Sequence, residues 1–214
     1  MATAHLIDLD GTLADTLPDI AASLDHVRAT FGLAPMSLAD ARRCVGDGIA
    51  KAIERALAGI DLDDAARRRA VAVYSRHHLE HCTRRVRAYP GVPETLERWR
   101  AEGRPLAVVT NKPEAFVVRV LEHLGLDGFF DAVVCGDTLP VRKPDPGPLH
   151  AALDRMGSSR HAGVMIGDGV QDVRAGRAAG LGTVAVAYGY TPRDVLERER
   201  PNAVWERFGG PLAT

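Results

Sequence analysis

At 214 residues, with 46% apolar and 26% charged side chains, the chain can bury one sizeable core, or one core and a modest accessory domain, and is too apolar to be disordered. Its 27 basic residues nearly balance 28 acidic ones, and a net charge of -1 asks for neither nucleic acid nor an anionic membrane surface as partner. The scattered Cys44, Cys82 and Cys135 argue against a disulfide framework or a thioredoxin-like pair, and no stretch approaches the roughly 18 apolar residues of a membrane span or forms a basic-then-apolar leader, so a soluble, unexported protein of the reducing cytoplasm is expected.

A strand is predicted over Ala4 to Asp8, followed by a Gly-Thr turn. From Asp15 to about Arg87 the periodicity is helical, with Ile20, Leu24, Val27 and Phe31 on one face, then Ile49, Ile53 and Leu57, then Val71, Tyr74 and Leu79. This stretch offers no convincing strand. Tyr89-Pro90-Gly91-Val92-Pro93 closes it, and a helix follows through Glu94, Leu96 and Trp99. Strand and helix then alternate over Pro105 to Thr110, Glu114 to Leu124, Ala132 to Cys135, Pro146 to Met156, Gly163 to Gly167, Val170 to Ala179 and Thr183 to Ala187. Such alternation, with strands apolar on both faces, predicts a doubly wound, Rossmann-like parallel sheet. The core is assigned to residues 1–14 and 88–214, and the helical insertion to residues 15–87. The final segment from Pro201 carries no functional signal.

Ligands of open α/β sheets bind at the carboxyl ends of the strands. Those ends carry Asp8 and Asp10, then Thr110 and Asn111, then Asp168, with Lys143 in the loop after the third strand. Asp8 and Asp10, two apart on an extended chain, point to the same side, and two like charges so placed require a compensating cation. Lysine occurs only at Lys51, Lys112 and Lys143, all other basic residues being arginine, so the lysines that remain invite a reason.

Four segments, Asp8-Leu9-Asp10-Gly11-Thr12-Leu13, Val109-Thr110-Asn111-Lys112-Pro113, Arg142-Lys143-Pro144-Asp145-Pro146 and Gly167-Asp168-Gly169-Val170-Gln171-Asp172, resemble the haloacid dehalogenase superfamily of phosphatases. The whole chain resembles the phosphoglycolate phosphatase branch, the 15–87 insertion standing where that branch has its helical cap. Gly169 departs from the pattern, many relatives having serine there. The resemblance implies Asp8 as nucleophile, forming an aspartyl phosphate, and Asp10 as general acid and then base. It implies Thr110, Asn111 and Lys143 at the phosphate, and Mg²⁺ held by Asp8, the Asp10 carbonyl and Asp168; Asp172, one helical turn beyond Asp168, can reach the same locus as a further ligand or hold a metal-bound water. Four acids against Lys143 leave an excess negative charge that a hard cation would offset. Lys112 is expected at the rim.

The insertion is the expected lid, where Val45-Gly46-Asp47-Gly48 interrupts the helical pattern and offers amides to a substrate anion. Arg42, Arg43 and Lys51 nearby are candidates for a carboxylate, although a solvated helix face also accounts for them. His77, His78, His81 and Cys82 lie at metal-like spacings, but without complementary ligands they are read as a surface cap helix. The expected partner is a small phosphorylated metabolite, taken by a monomer or homodimer. The reaction expected is Mg²⁺-dependent hydrolysis of 2-phosphoglycolate. Alternatives are a sugar-phosphate phosphatase or phosphomutase and, from another class, a phosphoacceptor signalling domain.

Overall fold

The computed structural model describes residues 3–211. The chain opens on β1 (Ala4–Ile7), then β2 (Ala14–Asp15), and runs through four helices, α1 (Leu17–Thr30), α2 (Leu38–Cys44), α3 (Ile49–Ala56) and α4 (Asp64–His81), to β3 (Arg87–Ala88). The remainder is α5 (Val92–Ala101), β4 (Leu106–Val109), α6 (Glu114–Leu124), β5 (Ala132–Val134), α7 (Gly147–Arg155), β6 (Gly163–Gly167), α8 (Val170–Ala178), β7 (Gly182–Val186), α9 (Arg193–Arg198) and β8 (Ala203–Trp205). Six strands form one sheet in the order β5-β4-β1-β6-β7-β8, every pairing parallel. The doubly wound core expected from the alternation is therefore what the chain forms. The outer ends of the expected core segments, residues 1–2 and 212–214, lie outside the described residues.

Alternation along each strand divides its apolar side chains between two faces. Ile7, Val108, Ile166 and Val184 pack with Leu96, Trp99 and Trp205 on one side. Leu6, Ala107, Val109 and Met165 pack with Leu149 and Leu153 on the other. With both faces covered, polar side chains can gather only at the strand ends. β1 sits between β4 and β6, so the residue that follows it faces the ends of both neighbours.

The helical segment has a hydrophobic cluster of its own, in which Ile20, Leu24, Val27, Ile53, Leu57 and Tyr74 are buried. Two local expectations fail here. The segment is bracketed by a pair of two-residue strands, Ala14 facing Ala88 and Asp15 facing Arg87, too short for any periodicity to register. Buried Asp19 reinforces that closure by accepting the amides of Arg85 at 2.9 Å and Val86 at 3.1 Å. On α4 the buried face is Ala70, Tyr74 and His78, a four-residue spacing that continues to Cys82 past the helix end, whereas Leu79 is exposed. His78 and Cys82 thus belong to the interior and not to a solvated surface. Burial, with the Lys112 charge adding to it, pushes the His78 imidazole down to about 2 and keeps it neutral. Its Nδ1 meets the Ser23 hydroxyl at 3.0 Å, and His77 stacks on His81.

The last strand also lay beyond the sequence pattern. β8 extends the sheet past β7 and presents Trp205, which is buried beside Trp99 and Phe208 and donates its indole N–H to the Pro211 carbonyl at 2.7 Å. Trp205→Ala should lower the free energy of unfolding by about 3–5 kcal/mol, read as a lower urea midpoint at unchanged slope.

Candidate active site

Asp8 follows β1, tied to the sheet by its own amide, which donates to the Ile166 carbonyl at 2.9 Å. Thr110 follows β4 and Asp168 follows β6, so three neighbouring parallel strands deliver their next residues to one place. Carboxylate oxygens of Asp8, Asp168 and Asp172 lie within 4.8 Å of one another, all three residues buried. Into this group Lys143 projects its ammonium, donating to Asp8 at 2.9 Å, Asp172 at 2.6 Å and the Val109 carbonyl at 2.5 Å.

The electrostatics follow from that packing. Burial pushes the Asp8 carboxyl up to about 7, against the pull of Lys143 and with a further push from Asp172. Burial likewise drives Asp168 well above the carboxylate range, Asp8 and Asp172 adding to it. For Lys143 burial acts downward, but the two carboxylates outweigh it and the ammonium stays charged. Three carboxylates face one ammonium, a deficit that a hard divalent cation with oxygen ligands would remove.

The acids are not equivalent. Asp172, in the first turn of α8, accepts Lys143 on one oxygen and the Gly169 amide on the other at 2.9 Å. Asp168 accepts the Thr12 hydroxyl at 3.3 Å and the Tyr190 amide at 2.6 Å. Asp8 leaves one oxygen with no donor among the described residues. Gly11, at φ +80°, lies so close to Asp168 that a Cβ there would collide with the carboxylate, which is why the turn after Asp10 takes glycine. All three acids could hold a divalent cation, and among the described residues Asp8 is the one of them with an oxygen that no donor already occupies.

Asp10 stands apart from this trio. Its carboxylate accepts the Thr16 hydroxyl at 2.6 Å and the Lys112 ammonium at 3.0 and 3.2 Å. Lys112 was expected at the rim and is instead buried, because its ammonium has a carboxylate to meet inside. Thr110 Oγ1 accepts the Lys112 amide at 3.2 Å, leaving its hydroxyl hydrogen for another acceptor. The side-chain amide of Asn111 is spent on backbone: it donates to the carbonyls of Gly46 and Lys143 and accepts the Lys143 amide, each at 3.0 Å. It thus joins three loops instead of offering itself to a ligand.

These residues line a cavity of about 580 Å³ whose opposite wall is the helical segment, including Arg42, Val45, Gly46, Asp47, Gly48, Ile49 and Tyr74. The amides of Gly46, Asp47 and Gly48 have no backbone acceptor among the described residues, while the Asp47 carboxylate is taken by Arg55. Arg43 pairs with Asp40 and Lys51 with Glu54, both exposed. Among the described residues the Asp8, Asp168 and Asp172 group is the one cluster of potential metal ligands, and the α4 histidines contribute none.

Sequence reasoning passed over Tyr190. Its phenolic oxygen accepts the amides of Thr16 at 2.8 Å and Leu17 at 2.9 Å, while its own amide holds Asp168. One residue therefore fastens Asp168 to the start of α1 and to Thr16, whose hydroxyl orients Asp10. The rule that strand ends collect function, applied to the loop after β7, would have found it.

Two outcomes are expected. Asp8, raised to about 7, holds in the fold a proton that the unfolded chain releases near pH 4, so its contribution to metal-free stability is lost as pH rises from about 4 through about 7, and Asp168, also raised, acts in the same direction. A divalent cation must displace those protons, and the rise in Tm it causes should grow from pH 5 to pH 8, measured by thermal melts with and without the ion. Tyr190→Phe leaves the buried Thr16 amide without an acceptor and the Leu17 amide with the Asp15 carboxylate alone, and should cost about 1–3 kcal/mol. It should lower kcat more than it raises KM, because Thr16 and Asp10 lose their fixed placement.

Residues 5–186 match the family model described as haloacid dehalogenase-like hydrolase. A phosphoglycolate phosphatase of Nitrosospira multiformis is 43% identical over 199 residues, covering 91% of this chain and 87% of the relative. That of Mesorhizobium japonicum is 40% identical, covering 95% and 90%. A crystal structure of a predicted phosphoglycolate phosphatase from Haemophilus somnus superposes with a TM-score of 0.89 at 30% identity, over 97% of this chain and 95% of that one.

Proposed function

This chain belongs to the haloacid dehalogenase-like hydrolase family, and from that premise we propose that it is a Mg²⁺-dependent phosphatase of a small phosphate monoester, with 2-phosphoglycolate as the foremost substrate. The observation that carries the chemistry is the pair of unequal carboxylates. Asp8 lies between Lys143 and the cavity with one oxygen unspent, while Asp10, two residues on, is held by a hydroxyl and an ammonium. The substrate is supported by relatives of nearly equal length that carry the name phosphoglycolate phosphatase.

In this reading the free oxygen of Asp8 attacks phosphorus, forming an Asp8–phosphate bond as the ester oxygen departs. Asp10 gives that oxygen a proton and then takes one from the water that cleaves the acyl phosphate, regenerating Asp8 and releasing phosphate. Lys143 and the Thr110 hydroxyl offset charge on the equatorial oxygens. Mg²⁺, held by Asp8 and Asp168 with Asp172 beside them, would supply charge neutralisation at the phosphate. The wall formed by residues 15–87 acts as a cap that excludes bulk water. The setting is cytoplasmic, and the protein works as a monomer or homodimer on a phosphorylated metabolite.

Asp8→Asn should reduce phosphate release by at least about a thousandfold while the variant still melts cooperatively. Retained turnover would overturn the mechanism. A panel of phosphate esters assayed with and without Mg²⁺ tests the rest: isomerisation of a sugar phosphate without release of phosphate would mark a mutase instead.

A further inference from the structure

Gly169 is the position at which the motif segments leave the pattern of their relatives, many of which have serine there, and its backbone does not call for glycine. It caps α8 at φ -110° and ψ 152°, an extended conformation open to any residue. What excludes a side chain is space. A Cβ on Gly169 would collide with the carboxamide of Gln171, and the three heavy atoms nearest to it all belong to that carboxamide. A serine at 169 would therefore displace Gln171.

The same carboxamide meets the helical segment. A Cβ on Gly46, in the loop between α2 and α3, would stand 3.1 Å from Gln171 Nε2, with Cδ and Oε1 next at 3.6 Å. Gly46 itself sits at φ +122°, where a side chain is strained. One flat amide is thus packed between two glycines, one at the end of β6 and one on the cavity's opposite wall. It makes no hydrogen bond among the described residues, so its role is contact and not pairing.

Two further strand-end loops touch this loop. Asn111, after β4, donates its side-chain amide to the Gly46 carbonyl at 3.0 Å. Arg142, after β5, stands beside Gly48, where a Cβ would lie 3.3 Å from its Nη1. The hydrogen bond from Asn111 draws the loop toward the sheet, and the packed amide of Gln171 limits how far it comes. Close-packed contacts of this kind respond to changes as small as one methyl group. Gln171 and the 46–48 loop line the same cavity, and the amides of Gly46, Asp47 and Gly48 have no backbone acceptor among the described residues.

We propose that Gln171, laid against Gly169, is a positioning residue that seats the 45–48 loop over the catalytic floor, so that Gly169 and Gln171 act as a pair. The kinetic consequence rests on the phosphatase reading above; the seat itself is read without turnover.

The test measures amide hydrogen exchange of residues 45–49, with β1 and β6 as internal controls, alongside kcat and KM for 2-phosphoglycolate. Gln171→Ala should speed exchange in the loop by about three- to tenfold while both strands keep their protection. It should raise KM by a similar factor and leave kcat within about twofold. Gln171→Met, which keeps the length and packing of the side chain, should restore most of both. Gly169→Ser should loosen the loop as Gln171→Ala does, yet add little once residue 171 is alanine, a coupling that a double-mutant cycle reads directly. If Gln171→Ala leaves loop exchange and KM within about twofold of wild type, the seat is overturned and the proposed function stands. Full additivity of the two substitutions would overturn the pairing of Gly169 with Gln171. If wild type releases no phosphate from the ester while loop exchange responds as expected, the phosphatase reading falls and the seat remains.

Discussion

Lys143 is the counterion on which the catalytic end of this fold depends. A parallel sheet covered on both faces has little room for polar side chains except where its strands end, and here three neighbouring strands bring Asp8, Thr110 and Asp168 to one such end. Carboxylates that close and that dry repel one another and lose hydration. A single ammonium touching Asp8, Asp172 and the Val109 carbonyl holds the group together. Removing one member of such a buried set typically costs about 3–5 kcal/mol, so Lys143 is a structural necessity whatever else it does. The arrangement still leaves Asp8 and Asp168 with raised proton affinities, a residual repulsion that a divalent cation would relieve.

A second set of contacts transmits this order outward. Tyr190 receives two amides at the start of α1 and gives its own amide to Asp168. Thr16, in the same turn, gives its hydroxyl to Asp10, and Lys112 completes the cradle. The beginning of the helical segment is therefore bolted to the acid end of the sheet, while Asp19 and the Ala14–Ala88 pairing close the segment where the chain returns. Asn111 adds a third tie, from the loop after β4 to the Gly46 carbonyl and to Lys143. Cavity wall and catalytic floor are joined through hydrogen bonds to backbone, which survive changes of side chain elsewhere.

How much of this a sequence can disclose depends on the range of the signal. Strands β1, β4, β5, β6 and β7 are apolar runs in alternation with helices, and their ends follow from the topology rule, so Asp8, Thr110, Lys143 and Asp168 could be grouped although they are spread across the chain. The paired strands β2 and β3 have two residues each and no pattern to read. Helix α4 hid its inner face because polar His78 occupies a position that a hydrophobic count passes over, while apolar Leu79 faces out. Lys112 looked like a rim residue since its partner, Asp10, is more than a hundred positions away. Tyr190 was missed for the same reason: its importance lies in contacts with Thr16 and Asp168 that no local window contains.

The division of labour also explains where selectivity must reside. In the proposed mechanism Asp8, Thr110 and Lys143 would meet the phosphoryl group, which is the same in every monoester, and so could not tell one substrate from another. Discrimination requires groups that touch what the phosphate leaves behind, and each factor of ten demands about 1.4 kcal/mol of differential interaction. An apolar wall alone supplies little against small polar leaving groups, whereas a donor that goes unmatched by the wrong ester discriminates strongly. Among the described residues the helical wall carries one guanidinium without an acid, Arg42, and one phenol without an acceptor, Tyr74, in a cavity whose other cations are all paired. Unspent donors on that wall, opposite a floor whose polar groups are nearly all engaged, are where groups able to tell one ester from another would have to lie.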